Sequence, residues 1–213
     1  MTNSEIIKFL TSKTTNAGFV DKLKIKYRPI ICPFNDLLDY AKDRTSVFDI
    51  GCGSGQFCAL IAKYTGVTKI MGIEISQRLV DNANEVNEEF RDKKQIRFQT
   101  FDGKNIPDEI SEYDLVYMID VFHHIPPAQQ VEFMQQLYKK MKPGARLVFK
   151  DMDAGTPMVA FNKMHDMVFA GEIGKEISFT RAKNMLAGIG FKIAESFKKT
   201  LFVYSHYFVI CEK

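Results

Sequence analysis

Val47-Phe48-Asp49-Ile50-Gly51-Cys52-Gly53-Ser54-Gly55 is the stretch whose reading decides the fold. A short apolar run stops at three glycines on alternate positions. Phe57, Leu60, Ile61 and Tyr64 then recur at helical spacing, so the order is strand, tight turn, helix. Glycines there let the backbone turn sharply and approach a ligand closely. Loops of this kind lie at the carboxyl ends of strands, where open α/β sheets bind ligands. A dinucleotide site wants GxGxxG. Here Gln56 and Phe57 stand where the third glycine would fall, and Asp49 would repel a pyrophosphate. A ligand bearing a cationic amino group suits that acid better.

Outward from this loop, short apolar runs alternate with helical patterns. Lys69 to Glu74 (KIMGIE) reads as a second strand. Ser76 is a candidate N-cap for a helix whose stripe is Leu79, Ala83, Val86 and Phe90. Further strands are expected at 96–101, 113–119 and 147–152. Pro127 suits a first helical turn, with Val131, Met134, Tyr138 and Met141 as the buried face. Such alternation implies βαβ units, an α/β fold and a parallel sheet. Strands at 191–198 and 201–210, joined at Lys199-Thr200, are too close for a crossover and should be antiparallel. Before the core come a helix at 4–12, a basic loop (Lys22, Lys24, Lys26, Arg28) and a helix at 33–42. Residues 154–190 read as two helices.

A chain of 213 residues suits a single domain, 1–213. Its parts are an N-terminal helical cap (1–45), a core (46–153), a helical insertion (154–190) and a terminal hairpin (191–213). Hydrophobic residues make up 46% and charged residues 26%, which excludes disordered and collagen-like classes. A net charge of +3 from 29 basic and 26 acidic side chains gives no concentrated basic face for nucleic acid. Cys32, Cys52, Cys58 and Cys211 match no disulfide or zinc spacing and read as buried small hydrophobes in a reducing compartment. No segment is apolar for long enough to span a bilayer, and MTNSEIIKFLTSK lacks the order of a signal peptide. The expectation is a soluble, cytoplasmic protein of unspecified oligomeric state.

VFDIGCGSG resembles the first motif of the class I S-adenosylmethionine-dependent methyltransferases. Later residues match in order: Glu74 at the end of the second strand, Phe101-Asp102-Gly103 after the third, Tyr113-Asp114-Leu115-Val116 opening the fourth, and Met141 to Leu147 (MKPGARL) before the fifth. The chain is most similar to the small-molecule branch, of the type 11/12-like kind. The resemblance implies a Rossmann-like three-layer sandwich with a seven-stranded, mostly parallel sheet and an antiparallel last strand. It implies S-adenosyl-L-methionine as cofactor. Asp49 would favour the amino end, with the backbone of Gly51, Cys52, Gly53 and Gly55 around it. Glu74 would bind the ribose hydroxyls, and Asp102 with Gly103 the adenine amino group. Ile75 and Val121, beside Asp120, would line the adenine slot. Arg28 is the candidate donor to the methionine carboxylate, its alternative being an ordinary surface arginine.

The fourth strand leads into Ile119-Asp120-Val121-Phe122-His123-His124-Ile125-Pro126. Methyltransferases acting on amides or exocyclic amines often carry (N/D/S)PP(Y/F) there. DVFHHIPP instead resembles the branch acting on small molecules and lipid-like acceptors. A hydroxyl acceptor gains from a base near its proton, and a histidine suits that role. His124 and His123 are the candidates; either could equally be a buried structural histidine. His165 is a weaker one. Lys150 and Asp151 end the fifth strand and could face the acceptor. Asp120, Asp151 and Asp153 are available acids, but no metal constellation stands out. Met158, Met164 and Met167 would suit an apolar pocket or merely pack helices. The expected activity is O- or C-methylation of a small-molecule or lipid-like acceptor. The alternatives are an RNA or protein methyltransferase and a non-catalytic cofactor-binding subunit.

Overall fold

The computed structural model describes residues 2–13, 31–155, 175–201 and 204–213. Arg28 and its basic loop, His165, Met158, Met164 and Met167 lie outside the described residues. Contacts divide the chain into two compact units, Met1–Phe101 and Asp102–Lys213.

The first unit opens with α1 (Asn3–Lys13) and a short α2 (Phe34–Asp39), briefer than the 33–42 expected from sequence. Strands β1 (Ser46–Ile50), β2 (Lys69–Glu74) and β3 (Gln95–Thr100) pair in parallel, β1 with β2 and β2 with β3. All five β1 residues are buried, as in a sheet covered on both faces. Between β1 and β2 runs α3 (Gln56–Tyr64), buried at every position from Gln56 to Ala62. Phe34 stacks on Phe57 with ring centroids 5.4 Å apart, tying α2 to α3. Helix α4 (Gln77–Asn87) follows β2 and buries Val80, Ala83, Val86 and Asn87. Its inner stripe therefore starts at Val80 rather than Leu79, and Phe90 falls in a short 3-10 turn.

The second unit holds β4 (Leu115–Ile119), α5 (Pro127–Lys140), β5 (Arg146–Met152), α6 (Phe179–Ile189), β6 (Lys192–Leu201) and β7 (Tyr204–Glu212). Helix α5 buries Gln130, Phe133, Met134 and Leu137, while Val131 is exposed. Of the expected face, Met134 and Met141 are buried, whereas Val131 is exposed and Tyr138 half-buried. Gln130 belongs inside because its amide donates to the carbonyls of Ile125 and Lys175. The hairpin also differs from expectation. Lys199 and Thr200 lie within β6, paired with His206 and Ser205. Among the described residues β6 pairs only with β7, so such polar residues on it reach water and need not mark a turn.

The seven strands form one sheet in the order β3-β2-β1-β4-β5-β7-β6. In the second unit β4 and β5 pair in parallel, and β7 runs antiparallel to both β5 and β6. The fold class is the one expected from sequence.

Candidate functional site

The glycine loop of the first unit takes its shape from what surrounds it. Gly51, Gly53 and Gly55 all have positive φ (71°, 54° and 68°). The N–H groups of Gly51 and Cys52 donate to the Ile73 carbonyl at 2.8 and 3.1 Å, pinning the loop across β2. That approach needs a glycine in β2. A Cβ on Gly72 would stand 2.7 Å from the Cys52 sulfur and 2.6 Å from the Phe98 ring. Gly72→Ala should therefore cost roughly 1–3 kcal/mol of stability through overpacking, read as a lower midpoint in urea unfolding. An unchanged midpoint would show that the loop yields freely.

The rim of the loop is Glu74. Its Oε2 accepts from the Gly53 N–H at 3.1 Å, and its Oε1 accepts from Ile75 N–H and Ser76 N–H at 2.9 and 3.2 Å. Sequence suggested Ser76 as a side-chain cap for α4; its hydroxyl makes no capping bond. Asp49 is buried at 4% exposure and accepts from the Cys58 thiol at 3.3 Å. Burial, then the Asp49 charge, pushes that thiol well above its ordinary range, so Cys58 stays a neutral donor. Cys52 is buried with its sulfur against Gly72, consistent with a backbone contribution to the loop. Ile75, just beyond Glu74, is 68% exposed.

Asn87 is a residue the sequence reading missed. It is fully buried, and its amide donates to the Gly55 carbonyl at 3.0 Å and the Ala83 carbonyl at 2.9 Å. The available signal was a polar residue, Asn87, one place beyond Val86 on an otherwise apolar stripe. Gln56, the first residue of α3, is also buried, and its Oε1 has no hydrogen-bond partner among the described residues.

In the second unit, charged groups gather where β4 and β5 end. Lys150 has a fully buried side chain and donates to both Asp120 oxygens at 2.6 Å. Burial raises the Asp120 carboxyl, but the attractions around it, led by the Lys150 ammonium, outweigh it and bring it down to about 2. Asp151, 1% exposed, accepts from the His123 N–H at 3.1 Å and the Met152 N–H at 2.7 Å. It also takes the His123 ring Nδ1 at 2.5 Å. A carboxylate only accepts, so Nδ1 carries the proton and Nε2 is left as the basic nitrogen. His123 is 3% exposed, whereas His124 is exposed, the two rings lying 4.1 Å apart.

Nearby on β7, His206 and Tyr207 are fully buried; neither was singled out from sequence. Burial, then Asp151, Asp153 and Asp120, pushes the Tyr207 hydroxyl well above its ordinary range, which keeps it neutral. Asp153 accepts from Gly155 N–H and Phe179 N–H at 2.9 and 3.1 Å and pairs with Lys198 at 2.6 Å. It thereby fastens the chain after β5 to the start of α6. No metal-holding group of histidine, cysteine or acidic side chains occurs among the described residues.

Asp120 also gives the molecule an acid sensitivity with a definite sign. Its folded value is depressed from the ordinary 3.8, so its contribution is complete above the unfolded value and disappears as pH falls through the folded one. That contribution is roughly 2 kcal/mol, lost between about pH 4 and pH 2. Urea unfolding of wild type and Asp120→Asn should show a stability gap that narrows across this window. Parallel pH profiles would contradict the assignment.

The remaining predicted positions sit on loops. Asp102 is exposed, and its carboxylate closes its own turn by accepting from Lys104 N–H, Asn105 N–H and the Asn105 amide at 2.8, 2.6 and 2.5 Å. These three bonds, the Asn105 N–H foremost, hold its carboxyl below the ordinary range. Gly103 follows with φ 77°, and Val121 is half-buried before the 3-10 turn Phe122–His124.

The sequence profile of a family described as "Methyltransferase domain" matches residues 25–196. An O-methyltransferase of Pyrenophora dematioidea is 26% identical over 152 residues, covering 70% of this chain and 55% of that protein. A tRNA(Thr) (cytosine(32)-N(3))-methyltransferase of Saccharomyces cerevisiae is 30% identical over 116 residues, covering 51% of this chain and 18% of that one. The chain thus spans about half the length of the first relative and less than a fifth of the second. Among solved structures, magnesium protoporphyrin IX methyltransferase of Synechocystis PCC 6803 with bound SAH superposes with a TM-score of 0.70. It is 18% identical, with 100% of this chain and 95% of that one covered, which speaks for the fold alone.

Proposed function

Because the chain belongs to the family of methyltransferase domains, we propose that it transfers a methyl group from S-adenosyl-L-methionine to a small-molecule or lipid-like acceptor. The observation that carries this reading is Glu74 held against the glycine loop by the Gly53 N–H. The residues fit such a donor. The loop backbone is half-exposed at Gly51, Gly53 and Ser54, and three of the roughly four lone-pair sites of Glu74 are in use, which leaves room for a ribose hydroxyl. Gln56, one place past the last glycine, adds a buried acceptor without a partner among the described residues. When bound, the cofactor supplies an electrophilic methyl on a sulfonium.

The residues divide the work. Glu74 orients the ribose through a charge-assisted hydrogen bond, and Asp49 opposes the charge of the amino end. Asp102 and Gly103 serve the adenine amino group, with Ile75 and Val121 against the ring. Arg28 is the proposed donor to the carboxylate. A hydroxyl acceptor gives its proton to His123 Nε2, while Asp151 holds Nδ1–H and steadies the charged ring as it forms. His124, exposed beside it, is the second candidate. O-methylation fits this dyad better than C-methylation. No helix among the described residues is long and apolar enough to cross a membrane, and all four cysteines are buried thiols, which supports a reducing, cytoplasmic setting.

The yeast relative keeps an RNA acceptor in play as the second reading. The protein is incubated with methyl-tritiated S-adenosylmethionine and a cell extract, which is then split into organic-soluble, RNA and protein fractions. The proposal expects label in small organic molecules. Label confined to RNA or protein would replace it with the second reading. Cofactor binding with no label anywhere would indicate a binding subunit.

A further inference from the structure

Two consecutive residues of β5 hold the turn that leaves β4. The Asp120 N–H donates to the Lys150 carbonyl at 2.9 Å, and the Lys150 ammonium donates to both Asp120 oxygens at 2.6 Å. The next residue, Asp151, takes the His123 N–H and Nδ1. Asp120 is the one non-glycine residue with positive φ (55°) among the described residues. Side-chain-bearing residues seldom adopt that conformation, although Asp tolerates it better than most. Lys150 is odder still, because lysine is almost never fully buried unless paired. An apolar residue at 150 would pack without desolvation cost, and a glycine at 120 would accept the backbone angle unaided. Glycine permits this conformation; an ion pair at both oxygens, joined to a backbone hydrogen bond, imposes it.

We infer that Lys150 is a positioning residue: it pins Asp120 in the left-handed conformation and so fixes the direction in which Val121, His123 and His124 leave β4. The consequence for cofactor and base rests on the methyltransferase reading. The clamp itself does not.

Two charge-neutral pairs of substitutions test it. Lys150→Met with Asp120→Gly removes the clamp, leaves no unpaired charge and still allows the backbone angle. Lys150→Gln with Asp120→Asn keeps a hydrogen-bonded pair of similar shape. Each is examined by isothermal titration with S-adenosylhomocysteine and by 15N NMR of the imidazole rings. In the Met/Gly protein the turn samples other directions. If about a tenth of molecules keep the competent one, affinity falls about tenfold. The His123 ring signals should move as well, with the thermal midpoint near wild type. The Gln/Asn protein should remain within about threefold of wild type with His123 signals in place. Wild-type affinity and unmoved His123 signals in the Met/Gly protein would overturn the inference. So would an equal loss in both proteins. If the Met/Gly protein does not fold, the Gln/Asn protein decides alone, retention supporting the clamp and loss overturning it. Should wild type itself not bind S-adenosylhomocysteine, the functional reading falls, and the His123 signals still decide the clamp.

Discussion

Glu74→Ala should abolish measurable S-adenosylhomocysteine binding, a loss of at least about a hundredfold. Two effects add. The ribose loses a charge-assisted hydrogen bond, which contributes roughly 1.5–3 kcal/mol. The N–H groups of Gly53, Ile75 and Ser76 lose their common acceptor, so the loop is no longer held to the start of α4. Glu74→Gln separates the two. Its amide oxygen can still accept from part of that set, so the loop should hold while the ribose contact weakens. Titration calorimetry reads the affinities and urea unfolding the loop. Undiminished binding by Glu74→Ala would remove the ribose assignment.

The second large effect is expected at the dyad. His123→Ala should lower methyl transfer to a hydroxyl acceptor by about 10²- to 10⁴-fold, the usual contribution of a positioned base. Asp151→Asn should lower it by a comparable factor for a different reason. An amide in place of the carboxylate can present its NH₂ to Nδ1, which moves the ring proton to Nε2 and leaves no basic nitrogen for the acceptor. Cofactor affinity should stay near wild type in both. Transfer is scored as tritium entering the fraction that wild type labels. Full turnover by a His123→Ala, His124→Ala double variant would eliminate the base role of both residues.

Much of the scaffold is legible in the sequence alone. Glycines that end an apolar run and start a helix admit few backbone paths, and KIMGIE fell on β2 residue for residue because its boundaries are chemical ones. Where the reading slipped, tertiary contacts outweighed local pattern. Val131 looks like a core residue by spacing, yet Gln130 is inside because two carbonyls need its amide. Lys199-Thr200 looks like a turn, yet it lies in a strand whose outer side reaches water. Asp49, the glycines and Glu74 stood out because each ends or follows a strand. The clamp did not, because Lys150 and Asp120 are thirty residues apart and only the pairing of β4 with β5 brings their backbones together. His206 and Tyr207 were hidden for the same reason, since only the antiparallel return of β7 sets them opposite Met152 and Asp151.

The central claim is that the glycine loop and Glu74 receive a methyl donor rather than a dinucleotide. Thermal unfolding of the wild-type protein with S-adenosylmethionine, and separately with NAD, tests it most directly. A ligand at about a hundred times its dissociation constant stabilises the native state by about 2.7 kcal/mol. The midpoint should rise clearly with S-adenosylmethionine and not with NAD. Stabilisation by NAD alone would contradict it.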